Sequence, residues 1–182
     1  GRQRVTVFVR RGADQARGGR RGRIVVKVNG LEEPAIVEEL DRASMDGVDI
    51  DLVVRDICRL RPGLTGVSEN VTVHSVVGRF LEHSRIFYFE NGARADGADD
   101  AETGWGDPEY YVGSADWMTR NLDHRVEAVT PVEDPGIQRQ LRFVPEPQLA
   151  DNRRRWVLDE DGRSTQTRPA DDDPAPDPPA GL

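Results

Sequence analysis

The chain has 182 residues, of which 36% are hydrophobic and 32% charged, and its formal net charge is −8. That length suits one ordinary domain, alone or with tails, and is enough to bury a core. Residues 1–23 carry eight arginines against Asp14, whereas residues 24–182 carry 17 basic and 32 acidic groups; so acidic a body excludes general nucleic-acid binding, which needs a basic footprint.

Residues 1–22 are Gly- and Arg-rich and read as a basic, poorly ordered lead-in without a secretory signal's apolar segment. The run RIVVKVNG (23–30) is apolar and β-branched and predicts a buried strand. Next, Pro34 suits a helix's first turn; Ile36, Val37, Leu40, Ala43 and Ser44 share one face, and Gly47 supplies the stop, so residues 33–48 predict a helix. Residues 48–55 predict a second strand. Strand, helix and strand make a βαβ unit with parallel strands. Ligands of such sheets sit beyond the carboxyl ends of the strands, where Asn29 and Arg55 stand.

Residues 56–70 read as a loop containing the only cysteine, Cys58. One cysteine makes neither a disulfide framework nor a Cys-based zinc site, and a reduced, cytoplasmic setting is expected, with membrane association left open. Two extended segments follow within 71–92, broken near 78–82, then a polar connection over 93–109. YYVGS and HRVEAVTP read as strands, and residues 134–156 as a helix opened by Pro135 and interrupted by Pro145 and Pro147. The acidic, Pro-rich stretch 164–182 predicts a disordered tail. No run approaches the ~18 apolar residues of a membrane span.

Chemistry concentrates in LEHSRIFYFENG and YYVGSADW. His83 and Arg85 are two apart, so on a strand they share a face. An imidazole exchanges a proton near neutral pH, and an Arg fork matches phosphate oxygens. Glu90 follows as an orienting or salt-bridging group, then Gly113, Ser114 and Asp116. Ser114 and Asp116 also share a face and are expected to bond a phosphate or the imidazole; small residues there would let a phosphoryl ligand approach the backbone. His74 and His124 read as structural, and Arg120 and Arg125 as channel residues or partners of nearby acids.

The pattern H-x-R-x4-E followed by G-S-x-D resembles the phospholipase D superfamily signature, with Arg85, Glu90 and Asp116 as conservative exchanges. Longer stretches, from VKVNGLEEPAIVEEL through GVDIDLVVRDICRLRPGLTGVSENVTVHSVVGRFLEHSRIFYFENG to YYVGSADWMTRNLDHRVEAVTPVEDP and LADNRRRWVLDEDGR, resemble the C-terminal catalytic region of family-1 polyphosphate kinases over about residues 23–163. That resemblance implies an α/β fold, a phospholipase-D-like mixed sheet flanked by helices with disordered termini. It implies reversible transfer of the terminal phosphate of ATP to polyphosphate through a phosphohistidine, with magnesium, in a family that forms homo-oligomers. The family's nucleophilic histidine, in an H-A-K motif, belongs to a preceding part; no H-A-K occurs here, so this chain is expected to be the last part, without turnover alone, the magnesium site lying elsewhere. His83 resembles the second histidine, which contacts nucleotide or phosphate. Arg55 resembles the arginine that binds ATP phosphates, with Asp56 where the family has Gly. Two departures are Pro145 and Pro147, where the family helix continues, and residues 1–22, which do not look like the helix that precedes the first strand. The alternatives are a non-catalytic phosphate- or nucleotide-binding remnant and a dimeric phospholipase-D-like phosphodiesterase.

Overall fold

The computed structural model describes residues 2–76, 83–94, 107–142 and 155–167. The expected break at 78–82, most of the 93–109 connection, Pro145 and Pro147, and the tail beyond 167 lie outside them. Among the described residues the elements are α1 (Arg2–Arg17), β1 (Arg20–Val28), α2 (Pro34–Met45), β2 (Asp49–Val54), β3 (Val71–Val76), β4 (Ile86–Arg94), β5 (Asp107–Gly113), α3 (Thr119–His124), β6 (Val129–Val132), α4 (Pro135–Arg142), β7 (Arg155–Leu158) and β8 (Ser164–Gln166). The strands form one sheet in the order β6-β5-β4-β1-β2-β3-β7-β8. Strands β1, β2 and β3 run parallel and the outer pairings are antiparallel. The expected mixed sheet flanked by helices is therefore present, and the βαβ unit stands at its centre.

Strand alternation divides the side chains between two faces. Ile24, Val26, Val28, Leu52, Val73, Phe87 and Phe89 join the main core with Ile36, Leu40 and Ala43 of α2. On the other face, Val25, Tyr88 and Tyr110 pack with Val132 of β6 and Leu141 of α4. That face also carries polar groups: Arg23 donates to Asp51 at 2.9 Å, and His74 Nε2 lies 3.9 Å from the same carboxylate.

The expected lead-in is not a disordered arm. Residues 2–17 form α1, because Val5, Val9 and Ala13 recur every four residues and are buried. Phe8 packs on Phe89 and Tyr111, with centroids 5.3 and 4.6 Å apart. The arginines lie outward: Arg10 donates twice to Glu39 of α2, at 2.9 and 2.6 Å, and Arg11 reaches Glu109 at 2.7 Å. Val5, Thr6, Val7, Val9 and Gly12 are weak helix formers, and docking on the sheet supplies what propensity does not. The other expected boundary also moves, since β8 at Ser164–Gln166 pairs with β7 beyond residue 163. HRVEAVTP contracts to a four-residue strand, and the turn before it contains the unexpected α3.

Among the described residues, no helix is long and apolar enough to cross a membrane.

Candidate functional site

Three connections meet where β1 ends. After Val28 the chain continues as Asn29–Glu33 between two others. On one side, Asp56 N–H donates to the Asn29 carbonyl (2.8 Å), Leu31 N–H to Ile57 (2.8 Å) and Arg59 N–H to Leu31 (2.9 Å). On the other, Trp117 N–H donates to Gly30 (3.0 Å), and the N–H groups of Glu32 and Glu33 donate to Trp117 (2.9 and 3.0 Å). These ladders extend the sheet by isolated bridges, Leu31 to Cys58 and Leu31 to Trp117. They bring Arg55, from the end of β2, and Asp116, from the turn after β5, to the two sides of Asn29.

Asp116 organises the cluster. Its Oδ1 accepts from the Asn29 backbone N–H at 2.7 Å and Arg85 Nε at 3.1 Å; its Oδ2 accepts from Arg85 Nη2 at 3.0 Å and Asn29 Nδ2 at 3.5 Å. Burial pushes the Asp116 carboxyl up, but the bonds from Arg85 and Asn29 and the Arg85 charge outweigh it and hold the group below the usual carboxylate range. The third Arg85 nitrogen, Nη1, donates to the His83 carbonyl at 2.9 Å. Lys27, buried in β1, donates to the Ser84 carbonyl at 3.3 Å. Its ammonium is brought down to about 8, by burial first and then by Arg55 and Arg85, against the opposing pull of Asp116. Lys27, Arg55, Arg85 and Asp116 are thus neighbours. Among the described residues, no hydrogen-bond acceptor meets the buried Arg55 Nη1. A buried guanidinium nitrogen without an acceptor calls for a partner, and an anion is one chemistry that would supply it.

The expected residues fare differently. Arg55, Arg85 and Asp116 are brought together, but the Arg85 fork is occupied by Asp116 rather than open toward a ligand. His83 is exposed at the head of the segment, two residues from Arg85. Ser114 is turned to other work: its hydroxyl donates to Glu127 and accepts from Ala128 N–H at 3.1 Å, tying β5 to the start of β6. Glu90 does not join the cluster. It is buried on β4 opposite Arg23, whereas Ile86, opposite Lys27, lies at the cluster's end of that strand; four residues of strand separate the two by about 13 Å. At five residues from Arg85 and seven from His83, Glu90 also stands at odd strand parity to both.

The small residue Gly113 has a different cause from the expected ligand approach. A Cβ there would lie 2.5 Å from the Ala128 carbonyl oxygen and 3.1 Å from Val129 Cγ2, so the backbone entering β6 demands glycine. Gly113→Ala is expected to cost about 1–3 kcal/mol in thermal or urea unfolding.

Lys27 was not anticipated as a site residue, yet its signal is plain. It is the only lysine of the chain and interrupts an apolar strand. Burial pushes the Cys58 thiol up to about 11, which keeps it protonated near neutral pH. The described residues of this cluster do not fit magnesium. Both Asp116 oxygens are engaged beside three cations, and among the described residues no group of three His, Cys, Asp or Glu could hold a metal.

The model of the polyphosphate kinase C-terminal domain 2 matches residues 2–176. The chain belongs to the polyphosphate kinase family. A polyphosphate kinase from Thermosynechococcus vestitus is 49% identical over 169 residues, which is 93% of this chain and 21% of that protein. A polyphosphate kinase 1 from Chlorobaculum tepidum is 47% identical over 167 residues, 92% of this chain and 22% of its own length. The crystal structure of the Porphyromonas gingivalis polyphosphate kinase superposes with a TM-score of 0.84 at 36% identity, over 95% of this chain and 24% of that one. The chain thus spans about a fifth of the length of these polyphosphate kinases. The domain match begins within α1, so the Arg-rich lead-in is part of the polyphosphate kinase domain and not an appendage to it.

Proposed function

We propose that this chain supplies the phosphate-gripping part of an ATP:polyphosphate phosphotransferase, whose substrates are ATP or ADP and inorganic polyphosphate. The observation that carries the reading is Arg55 Nη1, buried and without an acceptor among the described residues, beside Lys27 and Arg85. Phosphate oxygens would satisfy that nitrogen and offset the crowding of positive charge. Arg85 is held rigid by Asp116, so its charge is presented without conformational cost. His83, exposed two residues from Arg85, would hold a terminal phosphoryl group or exchange a proton with it. Phosphoryl transfer depends mainly on positioning and charge stabilisation, which is what these four side chains offer. The chain carries no H-A-K segment, so the nucleophile would come from another part of a longer protein.

Arg55→Met separates binding from folding. It removes a half-buried cation beside Lys27, so the unfolding free energy should stay level or rise, within about 1 kcal/mol. Tripolyphosphate or ATP affinity, followed by calorimetry, should fall about tenfold or more, the loss of one good charge-assisted contact. Unchanged affinity for both ligands would remove Arg55 from the site and the reading with it. ATP-dependent polyphosphate synthesis by the 182-residue chain alone would refute the division of the active site between this part and another.

A further inference from the structure

Lys27 has a role that the phosphate reading does not itself assign. We propose that Lys27 is a positioning residue of the phosphate site, its ammonium fixing the segment that carries His83 and Arg85 and responding to the entry of an oligophosphate. The inference rests on the reading of Arg55 as a phosphate ligand.

The geometry comes first. Lys27 stands on the same sheet face as Val25 and is opposite Ile86 in the β1–β4 ladder. Its Nζ donates to the Ser84 carbonyl, two residues before Ile86, while Arg85 Nη1 donates to the carbonyl of His83. Two cations from different elements therefore clamp consecutive carbonyls of one short segment. That segment precedes β4; the Gly113 N–H donates to the Arg85 carbonyl at 3.2 Å, and the Lys27 and Arg85 side chains hold the two carbonyls before it. At 6% exposure the ammonium has little water to fall back on, so its contacts set its position.

Its charged surroundings come next. Arg55 reaches it from β2, Arg85 from the segment before β4, and Asp116 from the turn after β5. Farther along the same face, the β3 residue His74 is depressed by burial and stays neutral above neutral pH, and Asp51 of β2 is bonded to Arg23. Burial and two guanidinium groups thus oppose a third positive charge, and Asp116 favours it. An oligophosphate held by Arg55 would add negative charge at close range and draw the Lys27 proton on. Affinity should therefore be greatest below pH 8, where Lys27 is already protonated, and decline above it, by at most about tenfold per pH unit for one coupled proton.

Because Lys27 is the only lysine, lysine labelled with 13C and 15N reports one side chain. In the free protein its Cε resonance should titrate near 8, and saturating tripolyphosphate should move that midpoint up by about one unit or more. Tripolyphosphate affinity should fall between pH 7 and 9 in the wild type. It should be flat with pH in Lys27→Arg, whose guanidinium stays charged, and weak and flat in Lys27→Met. A wild-type pH profile in Lys27→Met, or a lysine midpoint that tripolyphosphate does not move, overturns the role of Lys27 while leaving Arg55 as a phosphate ligand. Absence of tripolyphosphate binding to the wild type at pH 7 overturns both. If either variant fails to fold, the labelled wild-type titration alone decides the matter.

Discussion

Trp117→Ala should lower the unfolding free energy by about 3–5 kcal/mol, the largest loss expected from a single substitution in this chain. The indole is 0% exposed and lies nearly parallel to the Phe87 ring, with centroids 5.6 Å apart and planes at 17°. Around it, Phe8, Phe87, Phe89, Tyr111, Leu122 and Val129 already line a cavity of about 80 Å³, so truncation would enlarge an existing void and allow little collapse. The Trp117 backbone also carries the bonds to Gly30, Glu32 and Glu33 that hold the β1 connection in place. Urea unfolding at pH 7 measures the loss, and loosening of the connection should weaken tripolyphosphate binding in the folded fraction. A loss below about 1 kcal/mol would mean that the cavity walls close over the deletion.

Arg85→Met should cost about 2–3 kcal/mol at pH 7 and should also weaken phosphate binding. The side chain is 20% exposed and its partner Asp116 is 8% exposed, so the pair is neither fully buried nor screened by solvent. Without the fork, the Asp116 carboxylate keeps only Asn29, and burial then dominates its ionisation. The sign of the pH effect follows. In the wild type the Asp116 carboxyl is held below its unfolded value, so its stabilisation is present above the ordinary carboxylate range and is lost as pH falls through the folded value. The variant lacks that term and instead suffers from a buried charge that protonation removes. The stability gap should therefore be widest near neutral pH and narrow toward pH 4 and below. Equal gaps at pH 7 and in acid would show that Arg85 acts through packing of its stem and not through Asp116.

Much of the scaffold was legible in short windows. RIVVKVNG, the spacing of Ile36, Leu40 and Ala43, and DIDLVV each obey one local period, so β1, α2 and β2 followed from residues within a turn or two of one another. The family signal in the same stretches agrees with the domain match. The helix α1 was not legible in this way. Its apolar residues stand at helical spacing, but the carboxylates that hold Arg10 and Arg11 are Glu39 and Glu109, distant in the chain, while Arg17 pairs with Asp14 inside the helix. The G-S-x-D motif was seen for what it contains and misread for what it does. Gly113 is small because of Ala128, and Ser114 bonds Glu127, both partners from a later segment.

The same line divides the candidate site. Residue types and their faces are local properties, because alternation along a strand is a matter of backbone geometry, and they placed Arg55, His83 and Arg85 at one rim. Which of those groups meets a protein carboxylate is a matter of distances across 87 residues, from Asn29 to Asp116. Electrostatic energies depend on separation in space and on burial, neither of which is written in the order of the residues. Hence the cationic character of the site could be read along the chain. The pairing of Arg85 with Asp116, the exclusion of Glu90 and the place of Lys27 between two guanidinium groups emerge only when the three connections pack together.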